Sequence, residues 1–160
     1  MIADAPIELA LPDDAAAIAA LSRDSIEHGL PWRWTPSRVL RAIRHPDTNV
    51  AVVREQGQLA AFGIMGYTDE DAHLLLLAVR PERRRAGLAS ALLAWLEDVA
   101  RSAGAVRIRV EARLPNPEAR CFYNEHGYHE RAIRRGMYGG AVDGVLLEKW
   151  LRVQGHAPAA

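Results

Sequence analysis

"AHLLLLAV", residues 72–79, is a near-continuous apolar run of strand length, and a helical pattern and a second strand follow it closely. Such a run reads as a strand buried on both faces, as in parallel sheets. From Gly87 to about Ala103, Leu88, Leu92, Leu96, Val99 and Ala103 recur at helical spacing, and Gly104 stops the helix. "VRIRVEA" (106–112) then alternates as a strand. Strand, helix, strand in this order predicts a right-handed parallel crossover. The chain is thereby restricted to a mixed α/β sheet.

The flanks fill in around that unit. "PIELA" (6–10) reads as a short strand, and Asp13 or Asp14 is placed to cap a helix reaching about Glu27. "HGLPWRWTP" (28–36) breaks the pattern, and a second helix is predicted from Ser37 to about His45. Residues 49–67 read as a hairpin turning at Gln56-Gly57. Asn116-Pro117 opens another helix, which ends near Gly127, and two strands close the chain. With 160 residues, the size fits one domain over 1–152, followed by a flexible tail over 153–160.

Composition narrows the partners. Twenty basic side chains balance twenty acidic ones, so no overall field draws the protein to nucleic acid or an anionic membrane. The single Cys121 has no internal disulfide partner, which suits a reducing cytoplasm. The start, "MIADAPIELALPDD", lacks a basic n-region, and no apolar run reaches the ~18 residues of a membrane span. Six scattered histidines suggest no metal site.

"VRPERRRAGLAS" (79–90) joins the apolar strand to the helix and sets Arg83, Arg84 and Arg85 beside Gly87. A helix N-terminus presents N–H groups and partial positive charge, so this junction is suited to a phosphate. Gly87 permits close backbone approach, and Ala86, Ala89 and Ser90 keep the surroundings small. A solvated turn is the plainer alternative. A Walker loop and the glycine-rich dinucleotide fingerprint are both absent, and no aromatic array suggests base stacking.

"Arg84-Arg85-Ala86-Gly87-Leu88-Ala89" resembles the acetyl-CoA signature of the GNAT superfamily of N-acetyltransferases, written (Arg/Gln)-x-x-Gly-x-(Gly/Ala). Asn116, Ala119, Tyr123, Gly127 and Tyr128 match that superfamily's second motif in order and spacing. The resemblance covers roughly residues 6–151 and is strongest over 72–138. The C-terminal half is most similar to the bacterial ribosomal-protein alanine N-acetyltransferases: Glu111 stands five residues before Asn116 and twelve before Tyr123, as in that group. "AIRRGMY" is similar to their "IRRxYY", with Tyr138 on the second tyrosine and Met137 replacing the first.

The resemblance implies a GNAT fold: a central, mostly antiparallel sheet with one parallel crossover, and helices on both faces. It implies acetyl-CoA as co-substrate and an amine acceptor, either a protein N-terminus or a small amine, in a monomer or homodimer. It places Leu77, Ala78 and Val79 against pantetheine. It also gives the Arg85, Ala86, Gly87, Leu88, Ala89 and Ser90 amides to the pyrophosphate, with the Arg84 and Arg85 side chains adding charge. Asn116 would touch the cofactor arm as well as cap its helix. Acetyl transfer needs a neutral amine, and α-amines titrate near ~8 and lysines near ~10.4. The departing thiolate, reference pKa ~8.5, gains from a proton donor. Glu111 is therefore the expected base, with a salt-bridged surface glutamate as the alternative. Tyr123 is the expected acid, with a core aromatic as the alternative. Trp32 and Trp34 are expected in the wall of an acceptor pocket, with packed core as the alternative, and Tyr138 is expected to touch the acceptor. A non-catalytic CoA-binding or interaction module is the competing reading for the whole chain.

Overall fold

The computed structural model describes residues 6–152, so the expected flexible tail at 153–160 lies outside the described residues. The elements run β1 (Ile7–Leu9), α1 (Ala15–Ser25), α2 (Pro36–Arg44), β2 (Thr48–Glu55), β3 (Gln58–Thr68), β4 (Asp71–Val79), α3 (Leu88–Ser102), β5 (Arg107–Arg113), α4 (Pro117–Glu125), β6 (His129–Tyr138) and β7 (Val142–Trp150). The strand order is β1-β2-β3-β4-β5-β7-β6, a mixed sheet with one parallel pair. The chain falls into two compact units. One comprises the residues up to Gly66 with Leu74–Val99; the other comprises Tyr67–His73 and the residues from Ala100 on.

In the first unit, α1 buries Ala15, Ile18, Ala19 and Ser22, a single stripe at i, i+3, i+4 and i+7. With Val39 of α2, this stripe packs on Val50, Val52, Phe62, Ile64, Leu76 and Ala78, which are alternate residues on one sheet face. Each large side chain so buried contributes roughly 1.5–3 kcal/mol. The β2–β3 turn is Gln56-Gly57, with φ of 54° and 77°. Left-handed backbone at both central residues is what a two-residue hairpin of this twist requires.

Two expectations are corrected here. β4 is not buried on both faces: Leu74, Leu76 and Ala78 are buried, whereas Leu75 is 37% exposed and His73 and Leu77 are half-buried. Only one face has the α1–α2 layer over it. Asp14 occupies the N-cap of α1 but makes no side-chain cap bond. Its carboxylate instead accepts from the Leu11 N–H at 2.7 Å and pairs with Arg54 at 2.5 Å, bracing the turn before the helix.

In the second unit, β5 alternates cleanly. Ile108, Val110 and Ala112 are buried, while Arg107, Arg109, Glu111 and Arg113 line the other, half-covered face. Antiparallel pairing sets Glu111 opposite Leu146 of β7. Arg107 forks onto Asp71 at 3.0 and 2.6 Å, with Trp150 5.1 Å from its guanidinium. In β7, a Cβ on Gly144 would run into Met137 Sδ and stand 3.0 Å from the Tyr138 ring, so only glycine leaves room for that pair.

Candidate functional site

The arginine run, within the first unit, resolves into unlike parts. Arg83 forks onto Glu55 at 2.5 and 2.8 Å, and this pair holds the Glu55 carboxyl below its usual range. Arg84 turns back: its Nε donates to the Val79 carbonyl at 3.3 Å and its Nη2 to Ser25 Oγ at 3.4 Å. Arg80 donates to Gln58 at 3.2 Å. Arg85 is exposed and has no side-chain partner among the described residues. Its backbone is left-handed, φ 65°, and Gly87 is left-handed again at 81°. Two such residues bend the chain twice just ahead of α3, a geometry in which successive amides converge on an anion. The 15-residue helix that follows adds the opening N–H groups of its first turn. Leu88 is buried and anchors that end, while Ala86, Ala89 and Ser90 are half-buried. Leu77 is half-buried, and Ala78 and Val79 are buried, at the end of β4.

In the second unit, Tyr138 comes within electrostatic reach of two other predicted residues, Glu111 and Tyr123. Glu111 helps to raise Tyr138, though burial is the larger cause, and the phenol is pushed up to about 12. Tyr138 in turn adds to the burial that pushes the Tyr123 phenol upward. Tyr123 is 8% exposed and packs edge-on between Phe122 (5.2 Å) and Tyr128 (5.6 Å). A loop glycine, Gly127 at φ 89°, ends α4 and lets the chain return so that the Tyr128 N–H reaches the Tyr123 carbonyl at 3.0 Å. Asn116 is exposed and caps α4, its Oδ1 accepting from the Ala119 N–H at 3.1 Å. Cys121 donates to Glu125 at 3.5 Å, and that bond pushes its thiol up, away from the thiolate a nucleophile needs.

One neighbour of this group escaped the sequence reading. His73 Nε2 lies 3.8 Å from Glu111 Oε1. Burial pushes its imidazole below the ordinary value and Arg109 adds to this, outweighing the opposite pull of Glu111. The imidazole is therefore neutral at pH 7, and the contact is polar rather than ionic. Its signal was a lone polar residue inside "AHLLLLAV". The two tryptophans separate: Trp34 packs against the hydrophobic core with Arg38 stacked at 3.9 Å, whereas Trp32 is 37% exposed. Among the described residues no group of three or more His, Cys, Asp or Glu could hold a metal ion. No helix among them is long and apolar enough to cross a membrane.

Residues 16–128 match the profile of the Acetyltransferase (GNAT) family. The chain is 29% identical over 132 residues to the [ribosomal protein bS18]-alanine N-acetyltransferase of Escherichia coli (strain K12), spanning 81% of this chain and 87% of that protein. The crystal structure of the ribosomal-protein-S18-alanine N-acetyltransferase from Escherichia coli superposes with a TM-score of 0.80 at 25% identity, covering 97% and 99% of the two chains. PaiA N-acetyltransferase from Thermoplasma acidophilum, solved in complex with coenzyme A, shares the fold with a TM-score of 0.77 at 17% identity, over 91% and 98%.

Proposed function

Because the chain belongs to the GNAT acetyltransferase family, we propose that it transfers the acetyl group of acetyl-CoA directly to the α-amine of a protein N-terminus. The observation that carries acetyl-CoA binding is the twice left-handed loop at Arg85 and Gly87, which opens onto α3. The acceptor class rests on the Glu111, Asn116 and Tyr123 spacing and on the likeness to the bS18-alanine enzyme. Residues 1–152 act as one domain in this reading, and the unpaired Cys121 favours a cytoplasmic setting.

The residues divide the work as follows. The Arg85–Ser90 amides and the Arg85 side chain hold the diphosphate, while Leu77, Ala78 and Val79 line the pantetheine arm and Asn116 adds a polar contact to it. Arg84 stiffens the loop through Val79 and Ser25. Glu111 takes a proton from the incoming ammonium, directly or through water, and Tyr138 and Trp32 contact the acceptor. Bound acetyl-CoA supplies an electrophilic carbonyl and a thiolate leaving group. Tyr123 donates a hydrogen bond to the departing sulfur. No enzyme nucleophile is needed, which suits a Cys121 thiol held protonated.

Two expected outcomes follow from this division. Arg85→Ala should raise the KM for acetyl-CoA several-fold, about what one charge-assisted contact supplies, whereas Arg83→Ala, which loses only its bond to Glu55, should leave it close to wild type. Steady-state kinetics with varied acetyl-CoA separate the two, and equal effects would remove Arg85 from the diphosphate. Glu111→Gln should slow an α-amine acceptor about tenfold at pH 7, because about a tenth of an amine with pKa ~8 is already neutral there. The deficit should close above about pH 9. A deficit that stays constant with pH would argue against a proton-accepting role.

The experiment that tests the whole reading is free-thiol release with acetyl-CoA and a panel of N-terminal peptides, lysine peptides and small amines. Turnover confined to small amines would overturn the acceptor assignment. Coenzyme A binding with no turnover on any amine would overturn transfer itself.

A further inference from the structure

His73 is the one polar side chain inside "AHLLLLAV", and it stands beside the carboxylate to which the chemistry above assigns the proton. Its Nε2 lies 3.8 Å from Glu111 Oε1. At that separation a neutral imidazole makes no hydrogen bond, so the carboxylate is not committed to it. The two side chains are 40% and 33% exposed, so each can exchange protons with solvent.

The charges around the pair are largely spent on one another. Asp71, two residues earlier on β4, is forked by Arg107 of β5. Arg107 also reaches Glu148 of β7 at 3.5 Å, and Glu148 pairs with Arg131 of β6 at 3.4 Å. Arg113 of β5 stands 5.9 Å from the ring of Tyr138 on β6. Burial pushes the phenols of Tyr138 and of Tyr67, at the end of β3, upward, so neither carries charge near pH 7. Arg109 and Glu111 are left to act on the imidazole with opposite sign: Arg109 disfavours a second cation and Glu111 favours one. Arg109 Nε is buried and finds no acceptor.

The two protonation states of His73 therefore treat Glu111 differently. The neutral form predominates at pH 7, because burial and Arg109 outweigh the carboxylate. An imidazole depressed in this way gains its proton only below the ordinary value of ~6.5, so the cation appears as pH falls and is gone at neutrality. Both ring nitrogens of the cation carry N–H. A charge-assisted bond to a carboxylate closes to about 2.7–2.9 Å, so a small approach seats Nε2–H on Oε1.

We propose that His73 is a positioning residue for Glu111: as neutral imidazole it leaves the carboxylate open to the incoming ammonium, and as imidazolium it engages the carboxylate and withdraws it from proton transfer. This rests on the reading of Glu111 as the proton acceptor. His73 touches neither acetyl-CoA nor the amine, and the amine's proton does not pass through it; it acts through the carboxylate alone.

Two measurements on the full chain test this. The first is an NMR titration of the imidazole signals without co-substrate, His73 being assigned by the signal lost in His73→Gln. In Glu111→Gln the His73 midpoint should move to lower pH, by about a threefold or greater loss of proton affinity, because the carboxylate that favours the cation is gone. An unmoved midpoint in the folded variant overturns the proposal, whatever the turnover. The second is kcat/KM for an N-terminal peptide at saturating acetyl-CoA between pH 5 and pH 7. The ratio of His73→Gln to wild type should rise about tenfold as the pH falls across that interval, since glutamine gains no charge. The peptide's own ammonium titrates alike with both proteins and cancels in the ratio. A merely structural His73 would change the rate by the same factor at every pH, so a constant ratio overturns the proposal while transfer stands. This second measurement decides alone if Glu111→Gln does not fold. A wild type that releases no thiol with any amine removes the transfer reading, and this proposal falls with it.

Discussion

Replacing Tyr123 by phenylalanine is expected to lower the maximal rate about ten- to a hundredfold while leaving acetyl-CoA affinity within about twofold. The magnitude follows from the direction of the phenol's shift. Burial, with Tyr138 adding to it, raises the Tyr123 hydroxyl above its ordinary value, so the group stays protonated across the working pH range. Complete transfer of that proton to a thiolate, reference pKa ~8.5, runs uphill. What Tyr123 offers the departing sulfur is a hydrogen bond to developing charge, and bonds to charged groups contribute about 1.5–3 kcal/mol. Phenylalanine keeps the edge-on packing with Phe122 and Tyr128, so the fold should survive the change. The same shift predicts no downturn from Tyr123 in the pH–rate profile between about pH 7 and 9.5. Initial rates and calorimetry on the variant test both points, and an unchanged maximal rate removes Tyr123 from the chemistry.

Gly87→Val should weaken acetyl-CoA binding by at least about tenfold. A β-branched residue is an outlier at positive φ, and Gly87 sits at 81°, so valine must either strain the loop or move it. Such strain costs on the order of 1–3 kcal/mol, and the isopropyl group would stand in the proposed diphosphate site. The effect should fall on binding rather than on folding, because Gly87 is exposed on a loop. Titration calorimetry with coenzyme A and a thermal melt separate the two. Normal affinity in a folded variant would end the close-approach argument.

The parts of the fold that were legible in the sequence are those set by local periodicity or turn chemistry. The β4–α3–β5 succession followed from the apolar run, the helical leucine spacing and the alternation of "VRIRVEA". Gln56-Gly57 announced its turn through the glycine, which takes the left-handed conformation freely, while Gln56 is carried into it at φ 54°. What could not be read depends on who comes to meet a residue. An apolar run does not say whether its second face is covered, and Leu75 is not fully covered. Arg83, Arg84 and Arg85 look alike in sequence, yet their fates are set by Glu55 and Ser25, residues supplied from far upstream. Glu27 reads as the last residue of a helix; its use as a clasp appears only once Arg33 and Trp34 return to it. At the site, motif spacing singled out Glu111 and Tyr123, and the likeness of "AIRRGMY" to "IRRxYY" added Tyr138, while His73 needed the neighbouring strand to become visible.

The unequal fates of those arginines bear on how the segment behaves toward polyanions. Because Glu55 neutralises one guanidinium, a nucleic-acid strand would meet two uncompensated cations there, Arg84 and Arg85, the first of them held by a carbonyl and a hydroxyl. Two displaced counterions contribute a salt slope of only about −1.4 for a single strand. Grip on a diphosphate would then come from the direction of main-chain dipoles, which ionic strength dims far less than it dims a cloud of loose charge.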